Sequence, residues 1–340
     1  MDACTCDCGC GTSIRTTDAH VRFRDTLGAV MMRFGIGRER YRTAPGLYAL
    51  GAPGKASPVF VTANYKLSFD TLRKNIAGLD AWILVLDTKG INVWCAAGKG
   101  TFGTEELVSR IKVVKLASRI SHRKLILPQL GAVGVAAHEV QKRSGFSVIY
   151  GPVRASDIGA FIKNGMKATD AMRRVAFSLS ERVVLIPMEI RLSLPISLIA
   201  IAAAAAICLI SPSGFALKRY LHDVIMASVV SAAALIGGSI LVPLLLPVLP
   251  RAFSLKGAIA AIPAVAVSFL LVHDPLAAAA LSLYAISAST FFALNFTGAS
   301  TYTSLTGVQK EMRIALPAVI GGGAVSIVSL VLSRFFGGAV

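Results

Sequence analysis

The chain has 340 residues, enough for two domains, and carries 35 Lys and Arg against 18 Asp and Glu, a formal net charge of +17. Hydrophobic residues make up 54% of it, and five long charge-free stretches follow Leu192, which excludes a protein made only of soluble domains. Positive charge is concentrated before Leu192, where 28 basic and 15 acidic residues give a net charge of +13. From Leu192 onward, 7 basic and 3 acidic residues give a net charge of +4.

Residues 1–45 form a Cys- and Arg-rich N-terminal segment with weak periodicity, which predicts a mostly extended or partly ordered chain. Four of its cysteines are separated by single residues. This spacing is typical of neither zinc sites nor iron–sulfur ferredoxins. The cysteines are Cys4, Cys6, Cys8 and Cys10.

Residues 46–170 show short apolar strands alternating with amphipathic helices, the pattern of βαβ units. The predicted strands are Val59–Thr62, Trp82–Asp87, Asn92–Cys95, Lys124–Leu127 and Ser147–Tyr150. The predicted helices are Ser68–Ala77, Thr104–Ala117, Gly134–Lys142 and Ser156–Lys163. The pattern predicts an α/β Rossmann-like domain, with a mostly parallel sheet covered on both faces.

Residues 91–100 read Ile-Asn-Val-Trp-Cys-Ala-Ala-Gly-Lys-Gly and place Cys95 at the carboxyl end of a predicted strand. Ligands of open α/β sheets bind in the crevice at that edge, so the thiol is expected to be exposed at a ligand site. The alternative is a buried cysteine acting as a small hydrophobe. The neighbouring Trp94 and Lys99 argue against it, because an inert core position needs neither.

Residues 171–191 are predicted to be a basic linker, and residues 192–340 an all-α transmembrane domain of five helices. Each charge-free stretch is near or above the length of about 17–25 residues that a spanning helix needs. The stretches are 192–217, 224–250, 257–272, 275–298 and 314–333. None is N-terminal, so no cleavable signal peptide is expected.

Positive residues flank the first span and predict, by the positive-inside rule, that the α/β domain lies in the cytoplasm. These residues are Arg173, Arg174, Arg182 and Arg191. Lys218 and Arg219 in the first external loop are a competing signal. The prediction is a multi-pass protein of the cytoplasmic (inner) membrane.

The segment around Cys95 resembles the Asn-Val-Trp-Cys-Ala-Ala-Gly-Lys signature of the mercury-methylating corrinoid proteins, which are related to the corrinoid/iron–sulfur proteins. The resemblance runs in order from about residue 45 to the C-terminus. It implies a corrinoid (cobalamin-type) cofactor whose cobalt takes the Cys95 thiolate as its lower axial ligand.

The resemblance also implies corrinoid contacts from three segments. The first, around Cys95, comprises Asn92, Val93, Trp94, Ala96, Ala97, Gly98 and Lys99. The other two are Gln129, Gly131, Gly134 and Val135, and then Tyr150, Gly151, Pro152, Val153 and Arg154. For these two, ordinary strand-to-helix turns remain the alternative.

The implied activity is methyl transfer from methyl-Co(III) to Hg(II), which forms methylmercury and leaves cobalt to be re-reduced to Co(I). Because no Cys-x-x-Cys cluster motif occurs in the chain, an external electron donor is implied, in this family a ferredoxin with [4Fe–4S] clusters. A methyl donor protein or methyl-folate would supply the methyl group.

Several interpretations stay open. The four N-terminal thiols could capture Hg(II), or could be an incidental chain start, which is slightly favoured. The activity could instead be that of a corrinoid methyl carrier for another acceptor in C1 metabolism, or of a membrane thiol sensor without a corrinoid.

Membrane lipids are an expected partner of the basic face. Nucleic acid is not, because Lys112, Lys115 and Arg119 lack interleaved aromatic residues.

Overall fold

The computed structural model describes residues 13–212, 214–299 and 305–336. The chain divides into two compact units, Met1–Val175 and Ala176–Val340. The four N-terminal cysteines lie outside the described residues, so their role stays a prediction.

The first unit is built on a mixed six-stranded sheet in the order β1-β2-β4-β3-β5-β6. Neighbouring strands pair in parallel except β2 and β4, which are antiparallel. The strands are β1 (Arg15–Thr17), β2 (Gly46–Leu50), β3 (Val59–Ala63), β4 (Ala81–Leu86), β5 (Lys124–Leu127) and β6 (Ser147–Tyr150). The predicted α/β sheet domain is therefore confirmed.

Helices cover both faces of this sheet, and for that reason β3 and β4 are buried at every residue and read as continuous apolar runs. The helices of this unit are α1 (Phe23–Arg33), α2 (Lys66–Asn75), α3 (Val93–Gly98), α4 (Thr104–Val113), α5 (Leu116–Arg119), α6 (Ala137–Ser144), α7 (Ile158–Lys163) and α8 (Asp170–Arg173). Residues of α3, α4 and α6 pack on one core, and residues of α2 and α7 on the other.

The prediction of a strand at Asn92–Cys95 is wrong, because these residues begin helix α3. The Asn92 side-chain oxygen accepts the backbone N–H of Cys95 at 2.9 Å, the hydrogen bond of a helix N-cap. A run of three apolar residues, here 93–95, cannot be assigned to strand or helix by periodicity alone. The cap, rather than the apolar run, decides the local structure.

The described part of the N-terminal segment is more ordered than predicted, since it contains β1 and α1. An ion-pair network holds it to α2. The guanidinium of Arg73 contacts Asp18 (2.9 Å), Asp25 (2.9 Å) and Asp70 (2.8 Å). The ammonium of Lys66 contacts Asp25 (2.8 Å) and Asp70 (2.7 Å).

The second unit is helical, and its described residues include five helical segments that are long and apolar enough to cross a membrane. They are Leu179–Cys208, Leu217–Leu244, Phe253–Leu271, Pro275–Phe296 and Thr306–Phe336. The first begins inside the predicted linker, 13 residues before the predicted span at 192.

Within these segments the helices are α9 (Leu179–Val183), α10 (Ile186–Cys208), α11 (Leu217–Ile236), α12 (Val242–Leu244), α13 (Phe253–Ala260), α14 (Ile262–Leu271), α15 (Pro275–Phe296) and α16 (Leu305–Phe336). A π-helical turn at Gly237–Leu241 joins α11 to α12.

Candidate functional site

The candidate site lies at the carboxyl edge of the parallel strands. Strand β4 pairs with one edge of β3, and the next strand in the chain, β5, pairs with the other edge of β3. Such a reversal of strand order opens a crevice beyond the carboxyl ends of the two strands, here β3 and β5. Helix α3 packs against β3 and against the 3₁₀ turn Gln129–Gly131 that follows β5. Cys95 is therefore carried to the edge at which ligands bind in such sheets.

Helix α3 has an inner and an outer face. Val93, Ala96 and Ala97 are buried in the core beneath it. Trp94, Cys95, Gly98 and Lys99 are exposed. Of the two free cysteines among the described residues, Cys95 is exposed and Cys208 is buried. The thiol at the candidate site is thus accessible, while the helix that carries it is anchored by small apolar side chains.

The loop that leads into α3 is anchored by Asn64, a buried residue directly after β3. Its side-chain oxygen accepts the N–H of Thr88 (3.0 Å), the hydroxyl of Thr88 (2.8 Å) and the N–H of Gly90 (2.9 Å). Its amide donates to the carboxylate of Asp87 at 3.1 Å. Sequence reasoning missed Asn64, although a polar residue closing an apolar strand at this edge is a usable signal.

The carboxylate of Asp87 is fixed in its charged form. Burial acts to raise its pKa, but hydrogen bonds from the ammonium and the backbone N–H of Lys89 outweigh burial and lower the pKa. The backbone N–H of Asp87 donates to Glu106 at 2.8 Å, and Glu106 in turn accepts from Arg110. The loop before α3 is therefore tied to both β3 and α4.

Direct contacts bring the three predicted segments together. A Cβ at Gly134 would lie 2.2 Å from the carbonyl oxygen of Phe102 and 3.0 Å from Cα of Ala97, so only glycine allows this approach to α3. The hydroxyl of Tyr150 donates to the carbonyl of Val135 at 2.5 Å. The N–H of Gln129 donates to the carbonyl of Pro152 at 3.4 Å.

The end of the third segment follows a different course. The N–H of Val153 donates to the carbonyl of Met172 at 2.8 Å, away from α3 along the chain. Arg154 is exposed in front of the 3₁₀ turn Ala155–Asp157. Residues 92–99, 129–135 and 150–152 thus form the compact part of the candidate site.

Gln129 carries a buried polar atom without a partner. Its side-chain oxygen is inaccessible and accepts no hydrogen bond in the structure. Buried acceptors in folded proteins are nearly always satisfied, so a donor from outside the protein side chains is expected in the turn that packs on α3.

Tyr65, which follows β3, connects the site to the N-terminal segment. Its hydroxyl donates to the sulfur of Met32 at 2.5 Å. Burial raises its pKa; the nearby charges of Arg38 and Arg33 act to lower it, and Cys95 acts to raise it. Tyr65 thus ties the chain after β3 to α1 through Met32.

Residues 28–162, all in the first unit, match the family model "CO dehydrogenase/acetyl-CoA synthase delta subunit". The α/β unit is therefore similar in sequence to a subunit of CO dehydrogenase/acetyl-CoA synthase. The chain is 29% identical over 154 residues to the acetyl-CoA decarbonylase/synthase complex subunit gamma of Archaeoglobus fulgidus, covering 44% of this chain and 32% of that protein.

A second relative is named for its cofactor. Over 124 residues the chain is 32% identical to the corrinoid/iron–sulfur protein large subunit of Moorella thermoacetica, covering 36% of this chain and 27% of that protein. A gamma subunit from Methanocaldococcus jannaschii is 31% identical over 129 residues, 37% of this chain and 26% of its own length. The chain spans about a third or less of the length of these relatives. The similarity supports a relation to corrinoid proteins, while the mercury-specific part of the sequence resemblance stays a prediction.

Proposed function

We propose that this chain is a membrane-anchored corrinoid protein that carries a methyl group, with Cys95 as the protein ligand to cobalt and Hg(II) as the methyl acceptor. The observation that supports it most directly is the exposed thiol on the capped helix α3, inside residues 28–162, which match the family model of a CO dehydrogenase/acetyl-CoA synthase subunit. The α/β unit faces the cytoplasm in this proposal.

The residues at the site fit a corrinoid. No group of three His, Cys, Asp or Glu gathers among the residues that the structure describes, whereas a corrin ring supplies cobalt's equatorial ligands and needs one protein ligand. Corrin side chains carry amides, whose N–H groups would satisfy the buried oxygen of Gln129. Gly134 approaches Ala97 closely, and the turn that begins at Gln129 packs on α3. Cys95 and Gln129 therefore lie on elements that pack against each other.

When bound, the corrinoid supplies a cobalt centre that accepts a methyl group and passes it to an acceptor. The protein's part is to hold the sulfur of Cys95 in place. Asn92 fixes the backbone at Cys95, and Asn64 fixes the loop before α3. Such supporting contacts orient a metal ligand and tune the electron density that it donates. A thiolate donates more density than an imidazole, which favours transfer to a soft, thiophilic acceptor such as Hg(II).

The partners follow from this chemistry. The described cysteines form no cluster that could pass electrons to cobalt, so a ferredoxin-type protein with [4Fe–4S] clusters is the proposed electron donor. A methyl donor protein or methyl-folate supplies the methyl group. Among the relatives, one is named a corrinoid/iron–sulfur protein and others are subunits of acetyl-CoA decarbonylase/synthase complexes.

A second candidate function is a corrinoid methyl carrier that serves C1 metabolism. The names of the relatives favour it, since all of those cited are subunits of acetyl-CoA-related or corrinoid/iron–sulfur complexes. The two candidates share the cofactor and Cys95 and differ only in the acceptor.

The test uses the full chain, purified anaerobically and supplied with cobalamin. We expect the protein to retain the corrinoid, seen in its absorption spectrum, and to methylate Hg(II). Cys95→Ala is expected to reduce methyl transfer by on the order of 100-fold, as for the loss of a metal ligand or its support. Cys95→His should keep the corrinoid with a shifted spectrum and transfer more slowly, because imidazole is the weaker donor.

Cys208→Ala is the matched control, because it removes the other described cysteine, a buried one. It should leave transfer unchanged. A wild-type rate in Cys95→Ala would contradict cobalt ligation by Cys95. Transfer to other acceptors but not to Hg(II) would favour the C1 carrier, and a protein that retains no corrinoid would favour a thiol sensor.

A further inference from the structure

Helix α1 presents an apolar stripe to the outside of the first unit. Phe23 is 80% exposed and Leu27 48% exposed, and Val30 and Met31 are also exposed. These positions follow the spacing i, i+4, i+7 and i+8, so they line one face of the helix. A helix of 11 residues is about 16 Å long, and the stripe runs over most of that length.

The opposite face of α1 is held firmly to the domain. Met32 is buried in the core. A Cβ at Gly28 would lie 2.5 Å from the ring of Tyr41, so the helix backbone approaches that ring closely. The carboxylate of Asp25 is paired with Lys66 and Arg73. The stripe is therefore the outward face of a fixed helix and not a core face left unpacked.

Arginines lie at both ends of the helix in the sequence. Arg22, the N-cap residue, and Arg24, in the first turn, are both exposed, and the guanidinium of Arg22 also contacts Asp18 at 3.5 Å. Three more exposed arginines follow the helix; they are Arg38, Arg40 and Arg42. Residues 22–42 hold six arginines and two acidic residues, and one of the two acids is Asp25, which is already paired. The segment is thus apolar along the outward face of its helix and strongly positive in composition.

This combination is typical of a helix that lies in the plane of a membrane interface, where apolar side chains insert between lipids and basic side chains reach anionic headgroups. A second copy of the chain would bring two sets of arginines together, which opposes self-association. The same chain also has five helical segments, among its described residues, that are long and apolar enough to cross a bilayer. A bilayer is therefore the partner that this chain itself would bring close to α1.

We propose that α1 lies in the interface of an anionic bilayer, with Phe23, Leu27 and Met31 inserted among the lipids and the flanking arginines on headgroup phosphates. This surface would give the α/β unit its own attachment to the membrane, in addition to the spanning helices. The inference rests on the membrane anchoring in the proposed function and is independent of the corrinoid and of the methyl acceptor.

The test uses the full chain in lipid nanodiscs with the photo-crosslinker p-benzoylphenylalanine in place of Leu27. The control carries the crosslinker in place of Val113, an exposed apolar residue on α4. In discs containing phosphatidylglycerol, mass spectrometry should find lipid adducts at position 27 at about fivefold or more the yield at position 113. In discs of phosphatidylcholine alone the yield at position 27 should fall severalfold, since each basic residue near an anionic surface adds attraction.

A charge variant checks the role of the arginines. The double variant Arg22→Gln/Arg24→Gln should lose most of the dependence on phosphatidylglycerol, whereas Lys112→Gln/Lys115→Gln, with the same change in charge on α4 and beside it, should keep it. Equal lipid yields at positions 27 and 113 would overturn the proposal. So would adducts from position 27 mainly to the helical unit, to a second copy or to an added acidic protein. No assay here needs cobalamin, so a failure of the corrinoid proposal would be seen separately.

Discussion

The two units differ in what they bury besides apolar side chains. In the α/β unit the largest fully buried residues are Phe60, Phe102, Phe146 and Phe161. The helical unit also buries Phe253, Phe292 and Phe296, but its serine hydroxyls are buried as deeply. At the same time, Leu270 is 77% and Ile199 70% exposed. Among the serines that are 1% exposed or less are Ser193, Ser231, Ser239, Ser268 and Ser289. Burial in the helical unit therefore follows hydrophobicity less closely, as expected for spanning helices, because in lipid an apolar side chain gains nothing by turning inward.

The units also differ in how they satisfy their polar groups. The α/β unit concentrates charge in one network, in which Arg73 meets three carboxylates. The helical unit uses short hydroxyl-to-carbonyl bonds, such as those from Ser289 to Gly257 (2.8 Å) and from Ser326 to Ala280 (2.7 Å). Such bonds need backbones to approach closely, and small residues at the helix contacts allow this.

The largest expected effect is that of Arg73→Met on the α/β unit. The change leaves the buried carboxylate of Asp70 with only Lys66 beside it, and breaking a buried ion-pair network costs about 3–5 kcal/mol. Both tryptophans of the chain, Trp82 and Trp94, lie in this unit. Denaturant unfolding of the full chain followed by tryptophan fluorescence therefore measures the loss.

The control for that variant is Arg143→Met, which removes an exposed partner of Glu105. Exposed pairs contribute about 0–1 kcal/mol, so its transition should hardly move. Equal shifts for Arg73→Met and Arg143→Met would mean that the buried network does not hold the N-terminal segment in place.

A smaller effect is expected for Gly257→Ala in the helical unit. The new Cβ would lie 2.4 Å from Cα of Thr290, a backbone atom that cannot move aside cheaply. Overpacking of this kind costs about 1–3 kcal/mol. Unfolding in sodium dodecyl sulfate, followed by the loss of helical circular dichroism, should shift while tryptophan fluorescence does not.

Gly323→Ala is the matched control, because a Cβ at this helical glycine meets nothing within 4 Å. Alanine is the better helix former by about 1 kcal/mol, so this variant should lose no stability. A loss as large as that of Gly257→Ala would show that the close contact of Gly257 is not what makes the position sensitive.

The smallest expected effect is a loss of stability in acid, and it comes from Asp25. Burial acts to raise the pKa of Asp25, but hydrogen bonds from Lys66 and the backbone of Arg22, with the charges of Lys66 and Arg73, hold it below its usual 3.8. A group whose pKa is lowered by folding contributes its stability above the unfolded value, and that stability is lost as pH falls through the folded value. The α/β unit should therefore show no change from this group between pH 5 and 8 and should weaken below about pH 4.

Asp25→Asn isolates this contribution. The variant should be less stable at pH 7 and should show a shallower loss of stability below pH 4 in the tryptophan-monitored transition. Asp87, whose pKa is also lowered, keeps part of the acid dependence in the variant. An unchanged slope in Asp25→Asn would show that Asp25 does not contribute to acid unfolding.

The strands and the membrane segments were predictable because their signals are local. Strands β5 and β6 are at the predicted residues, Lys124–Leu127 and Ser147–Tyr150. Five apolar segments were expected, and the part of the chain that the structure describes has five helical segments of that length and composition. Strands β1 and β2 and helix α1 were missed. The pattern of α1 is misleading because its apolar stripe faces outward, and β2 is antiparallel to β4 and outside the βαβ alternation.

By itself the sequence determined the alternation of strands and helices, the apolar segments and the singular position of Cys95, because each follows from residue types at short spacing. Only the tertiary structure decided that Cys95 lies on a helix, since the cap by Asn92 and the buried face of α3 depend on the sheet beneath it. It also decided that Asn64, 31 residues earlier, anchors the loop that carries this helix. Contacts between residues so far apart in sequence arise only where the sheet brings β3 and β4 side by side, and no local pattern encodes them.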